Sequence, residues 1–236
     1  MKLDLSFIWQ ALLQLLTAIP VTLAVTVVSV LCGLVIGTAV ALIRINKVPV
    51  LDTAAAAYVT FIRGTPMLTH LLLVYFGLPF AIDGICENFG WAFRSVSIPM
   101  IAFAYIAFSI TAGAYLSEVV RSGLLAVDKG QIEAAYAVGM TTSQALRRIV
   151  FPQAFAILLP NLSNSTISML HGSALVFTVS VVDINAKSQI IASSNWKFFE
   201  SYIAAAVIYW GLTLFIERIT AMAERRIQTY NRGGVS

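Results

Sequence analysis

Arg63, Thr65, His70, Asn161, Asn164, Ser168, His171 and Ser173 are polar side chains set within or beside long apolar runs. Three chemistries could use such residues. His171 and Ser173 suggest a hydrolytic pair, but no Gly-x-Ser-x-Gly elbow surrounds Ser173. A metal centre would need ligands at regular spacing, and the two histidines lie far apart without such a cluster. That leaves non-covalent recognition of a solute. Arg63 precedes Gly64 and Pro66, where a helix can break and offer backbone groups to a ligand. The competing role for Arg63 is to reach a lipid phosphate from the end of an apolar run. Asn161, Ser165 and Ser168 share one helical face, and Asn164, Ser168 and His171 an adjoining one. These faces either line a polar path or make interhelical hydrogen bonds. His171 could bind a carboxylate or act as a pH-sensitive gate; a plain hydrogen-bonded role is the alternative for it and for His70.

The elements that carry these residues belong in lipid. Hydrophobic residues are 59% of the 236 and charged residues 11%, against about 25% charged in a soluble domain. The mean hydropathy of +0.86 agrees. Cys32 and Cys86 are expected to be unpaired thiols, and the net charge of +4 reads as membrane-flanking charge rather than a nucleic-acid footprint. The first segment has only a weak basic start, Asp4 at once, and no small-x-small cleavage site, so it is expected to remain in the mature chain.

A span needs about 20 apolar residues. Ala18 to Ile43, Thr53 to Phe80 (interrupted at Arg63 to Pro66), Val96 to Leu116, Phe151 to Leu170 and Phe198 to Ile216 provide five. Ala174 to Val182 is too close to the fourth to be another, and is expected to be a re-entrant or short outer helix. Gly33 and Gly37 permit close helix approach. Ser6, Gln10, Gln14 and Thr17 form a polar stripe, which fits an N-terminal helix lying at the membrane surface, with a simple extension of the first span as the alternative. With the N-terminus outside, ten basic residues fall in inner segments 44–52, 121–148 and 218–236, against Lys2, Arg94, Lys187 and Lys197 outside. The positive-inside rule therefore predicts N-out, C-in. The expected fold is all-α integral membrane, a single transmembrane domain over 1–236.

The inner loop at about 121–152 carries its own structure. Gln131 to Val138 is rich in helix formers, and Gly139 can end a helix in the left-handed region. Thr141 and Gln144 have capping-box spacing for a second helix, and Pro152 opens the next span. Helix, glycine turn, helix on the cytoplasmic face offers small side chains, Ala134, Ala135 and Ala137, for docking into a groove on another protein or for packing on its own bundle.

Glu133-Ala134-Ala135, Gly139, Ile149 and Pro152 match the spacing of the EAA motif, so the chain resembles the membrane subunits of binding-protein-dependent ABC importers. Phe61 to Pro66, Tyr75 to Pro79, Ala114 to Gly123 and Phe151 to Ala154 resemble the polar amino acid permease branch, and the resemblance runs from about Leu16 to Arg218. It implies a bacterial inner-membrane permease that does no chemistry. It implies cytoplasmic ATPase subunits holding ATP and Mg, a second identical or homologous permease subunit, an extracytoplasmic binding protein and an amino acid substrate. Glu133, Ala134, Ala135 and Gly139 are the matched coupling positions. The chain itself is expected to bind no cofactor, and it has no P-loop. Where the family commonly reads Lys-Asp-Thr-Ser-Leu, this chain has His171-Gly172-Ser173-Ala174-Leu175. The missing carboxylate favours a polar or neutral amino acid such as cystine over a basic or opine-like solute, which is kept as the alternative. An ion-coupled secondary transporter is the rival of another class; it should show internal repeats and mid-span carboxylates, and neither is evident.

Overall fold

The computed structural model describes residues 3–232, and every regular element in that range is helical. α1 (Leu5–Leu15) runs through a short 3₁₀ turn into α2 (Ile19–Ile45), with Asp4 as N-cap accepting the Phe7 N–H at 3.0 Å. The expected polar stripe of α1 is exposed, beside an exposed apolar stripe of Leu5, Trp9, Leu13 and Leu16. A third stripe, Phe7, Ala11 and Leu15, is buried against residues that include Ile184, Ile191 and Ala204. Lys197 Nζ holds Asp4 Oδ2 at 2.6 Å and lies 4.8 Å from the centre of the Phe7 ring. The helix is thus docked along one side on protein, and together with α2 it forms one apolar segment, Leu5–Ile45.

The stretch expected from Thr53 to Phe80 divides into two elements. α3 (Leu51–Gly64) ends because Thr65 and Pro66 are extended, and α4 (Met67–Asn88) begins after them. At 14 residues α3 is too short to cross a bilayer. It lies against α5 (Met100–Leu125), where the Tyr58 hydroxyl donates to the Ile110 carbonyl at 2.5 Å. The membrane-length helix is α4, shifted toward the C-terminus of the predicted run.

α5 is the hub. Its face of Ala107, Ala112, Gly113, Leu116 and Ser117 is buried. A Cβ placed on Gly33 would come within 2.5 Å of the Ala112 Cβ, and one on Gly37 within 2.8 Å of the Ser117 nitrogen. The Gly33–Gly37 spacing therefore acts as sequence reasoning expected: two helices touch backbone to backbone. Around this contact a core gathers Val25, Leu71, Phe108, Leu116, Met169 and Val176.

After α5 come α6 (Lys129–Ala137) and α7 (Thr142–Ala145), a π turn at Leu146–Val150, and α8 (Phe151–Gly172). A 3₁₀ segment, Ser173–Val179, leads to a left-handed residue at Ser180 and then α9 (Ile184–Asn195). The bend is pinned. Asp183 is fully buried, accepts the Ala186 N–H at 2.8 Å and the Tyr209 hydroxyl at 3.1 Å, and the Ile184 N–H donates to Thr22 Oγ1 at 3.2 Å. α10 (Phe198–Arg232) is 35 residues long, about 50 Å, and continues well past the predicted end at Ile216. Among the described residues four helical segments are long and apolar enough to cross a membrane: Leu5–Ile45, α4, α5 and Phe198–Ile227. The bent pair from α7 to α9, turning by 53°, makes a fifth when counted as one span.

Candidate functional site

A cavity of about 560 Å³ opens between α5 and α8, with Arg63 and Met67 at the α3–α4 break on another side. α5 presents Tyr115, Glu118 and Ser122, and α8 presents Asn161, Asn164, Ser165 and Ser168, each set spaced by three or four residues. Helical periodicity is what aligns each set on one wall. The hydroxyls of Ser165 and Ser168 donate to the carbonyls of Asn161 and Asn164, both at 2.9 Å. They are satisfied without a ligand. The side-chain amides of Asn161 and Asn164 have no partner among the described residues and face the cavity as free donors and acceptors.

The charges are unequal. Glu118 is held by Arg44 from α2 and by Arg121, whose Nη2 lies 2.7 Å from its second oxygen. Two guanidiniums therefore neutralise the one carboxylate on the wall. Arg63 has no acidic partner among the described residues and lies 5.7 Å from the centre of the Tyr115 ring. The arrangement suits a zwitterion or an anion: a guanidinium for a carboxylate, amides for polar groups and an aromatic wall. It has no nucleophile beside a base.

Of the residues singled out from sequence, Arg63, Asn161, Asn164 and Ser168 line this cavity. Thr65, His70, His171 and Ser173 do not. His70 is buried and bridges Thr65 Oγ1 at 2.6 Å and Thr111 Oγ1 at 3.0 Å, so it ties the α3–α4 break to α5. His171 meets Thr213 at 3.1 Å and packs edge-on to Tyr209, facing α10. Ser173 is fully buried and donates to the Leu170 carbonyl at 2.7 Å. The hydrolytic pair is thus not assembled, because His171 and Ser173 spend their hydrogen bonds on different partners. Sequence reading did not single out Tyr115 as a lining residue. The signal was present in Tyr115, Glu118 and Ser122 at intervals of three and four, just before the basic inner segment.

In the loop, α6 is capped by Asp128, which accepts the Gly130 N–H at 2.6 Å. Gly139 adopts φ +81°, its N–H donates to the Tyr136 carbonyl at 3.0 Å, and the Met140 N–H donates to the Ala135 carbonyl at 3.0 Å. This is a Schellman ending. A Cβ on Gly139 would touch nothing within 4 Å, so the glycine answers to backbone conformation rather than space. Thr141 and Gln144 form the expected capping box. Glu133, Ala134 and Gly139 are exposed, whereas Ala135 is buried.

Long apolar helices around a polar-walled cavity, with a capped helical loop between two of them, define a multi-span membrane permease. Residues 29–229 match the model of the binding-protein-dependent transport system inner membrane component family, and the chain belongs to that family. It is a non-catalytic, multi-pass permease subunit of an ABC transporter, of the bacterial inner-membrane type. It is 36% identical to the probable amino-acid ABC transporter permease protein PatM of Vibrio harveyi, over 96% of this chain and 97% of the relative. It is also 36% identical to the L-cystine transport system permease protein TcyL of Bacillus subtilis (strain 168), over 95% and 92%. A crystal structure of an amino acid ABC transporter with histidines superposes with a TM-score of 0.79, at 34% identity, covering 96% of this chain and all of that one.

Proposed function

We propose that this chain is a single transmembrane domain that forms, with a second identical or homologous subunit, the path of an ATP-driven importer for a polar or neutral amino acid, cystine being one candidate. The cavity carries the proposal: an unpaired Arg63 guanidinium faces unpaired Asn161 and Asn164 amides across about 560 Å³. The names of the relatives, amino-acid and L-cystine permeases, support the same class. A cationic side chain would find no free carboxylate there, since Glu118 is already paired twice. Met67 Sδ lies 2.5 Å from where a Cβ at Gly172 would sit, so a methionine fills the place where a family carboxylate would project.

The chain runs N-out, C-in. α6 is the coupling helix, presenting Glu133, Ala134 and Gly139 to an ATPase subunit that holds ATP and Mg, with Ala135 supporting it from behind. Closure of the ATPase dimer moves these helices and rocks the paired permease subunits between inward- and outward-facing forms. An extracytoplasmic binding protein delivers the solute. The test is ATP-driven uptake by the reconstituted transporter across a panel of amino acids. Arg63→Gln should raise KM on the order of tenfold or more, the loss of a charge-assisted hydrogen bond, and Asn164→Ala should raise it less. Unchanged KM in both variants would remove the cavity from the path.

A further inference from the structure

A second cavity, about 520 Å³, lies where α2 and α8 fail to close over α5. Leu34, Leu42, Val120, Phe155 and Leu158 are among its walls, and its one charged residue is Arg147. Packing explains the slot. α2 is drawn onto α5 at Gly33 and Gly37, and α8 is drawn onto α5 at Gly123, where an added Cβ would lie 2.9 Å from the Leu158 Cβ. Both helices seat deeply on the same neighbour and leave a channel between themselves. Leu34 and Leu162 close its upper end by packing on the central core.

The dimensions fit one leaflet. From Phe151 to Leu162 the α8 wall is about 16 Å long, and half of the ~30 Å hydrocarbon core is about 15 Å. The lower end bears Arg147, exposed on the π turn that joins the loop to α8, with Arg148 beside it. Among the described residues Arg147 has neither an acidic partner nor a hydrogen-bond partner. Its aliphatic stem can line the apolar slot while its planar guanidinium faces the headgroup layer, where it can grip a phosphate with two parallel hydrogen bonds.

We infer that this slot is a binding site for one anionic phospholipid, an acyl chain lying between α2 and α8 and its phosphate held by Arg147. A phospholipid supplies both an apolar chain and an anion at that separation. The site lies beside the π turn that links α6 and α7 to α8, so an occupant would brace the root of the loop.

The test uses the whole transporter, purified through this subunit, delipidated in detergent and returned to nanodiscs of phosphatidylcholine with a small fraction of phosphatidylglycerol. Native mass spectrometry then counts retained lipid. The wild type should keep one phosphatidylglycerol per copy of this chain, and Arg147→Gln should weaken that retention about tenfold. Leu158→Trp should block the slot and do the same with Arg147 present. Arg148→Gln should leave retention unchanged. Equal retention in wild type, Arg147→Gln and Leu158→Trp would overturn the site, as would a wild type that keeps no lipid because another subunit covers the slot.

Discussion

His70, Arg63 and Asp4 show three ways in which a polar side chain is kept on this molecule. His70 is kept by two hydroxyls, Thr65 and Thr111, at the one place where the helical path breaks. His70→Ala should remove the bridge between Thr65 and Thr111 and leave a gap at a buried site, costing about 1–3 kcal/mol, read as a lower Tm of the purified complex, with substrate KM little changed. Arg63 is kept by an aromatic face and an open cavity, so its loss should move KM and spare Tm; the two variants separate structure from recognition. Asp4 is kept, partly exposed, by a salt bridge. The Lys197 ammonium bonded to it, then the Phe7 N–H and the Ser6 hydroxyl, hold its carboxyl well below its ordinary value of 3.8. A depressed carboxylate stabilises above its ordinary value and loses that contribution as pH falls through its lowered one. The docking of α1 should therefore be constant from pH 5 to 8 and loosen only in strong acid. Lys197→Met should make it looser at neutral pH, measured by hydrogen exchange in residues 5–15.

Among the helices, glycine positions divide into those that contact and those that turn. Gly37 sits against the backbone of α5, so Gly37→Val should force α2 and α5 apart and cost about 1–3 kcal/mol or more. Gly77→Ala, with nothing within 4 Å, should be silent. Tm of the two variants side by side checks the α2–α5 contact without reference to transport. Gly139 is the other kind. Gly139→Val should cost about 1–2 kcal/mol of loop conformation and reduce ATP-coupled uptake while the helical core, read by Tm, stays intact. Transport at the wild-type rate in that variant would argue against α6 as the coupling element.

For the molecule as a whole, orientation is the property most open to direct measurement. With Cys32 and Cys86 replaced by alanine, a cysteine at Gly90 should react with an impermeant maleimide added to intact cells, and one at Thr142 only after the cells are opened. Labelling of both from one side would reverse the proposed topology. The purified chain should show no ATPase activity alone, since it has no P-loop.

Much of this architecture is legible in one dimension, because lipid allows few solutions. Composition and run length specify apolar helices, basic residues beside the runs point to an orientation, and capping residues around Gly139 predict two helices in the loop before any coordinate is seen. These are local rules, acting within a few residues. The break at Thr65 and Pro66 was visible too, but not that it frees α3 to lie beside α5 and moves the span to α4. Which polar residues meet could not be read. Asn164 and His171 differ by seven positions on nearly one face, yet the first lines a cavity and the second turns to Thr213. Thr65 stands two residues from Arg63 and serves His70 instead. Those assignments depend on where α5, α8 and α10 cross, and the crossings are decided by small residues in contact, Gly33 and Gly37 on Ala112 and Ser117, whose partners are long-range in sequence and specified only by packing.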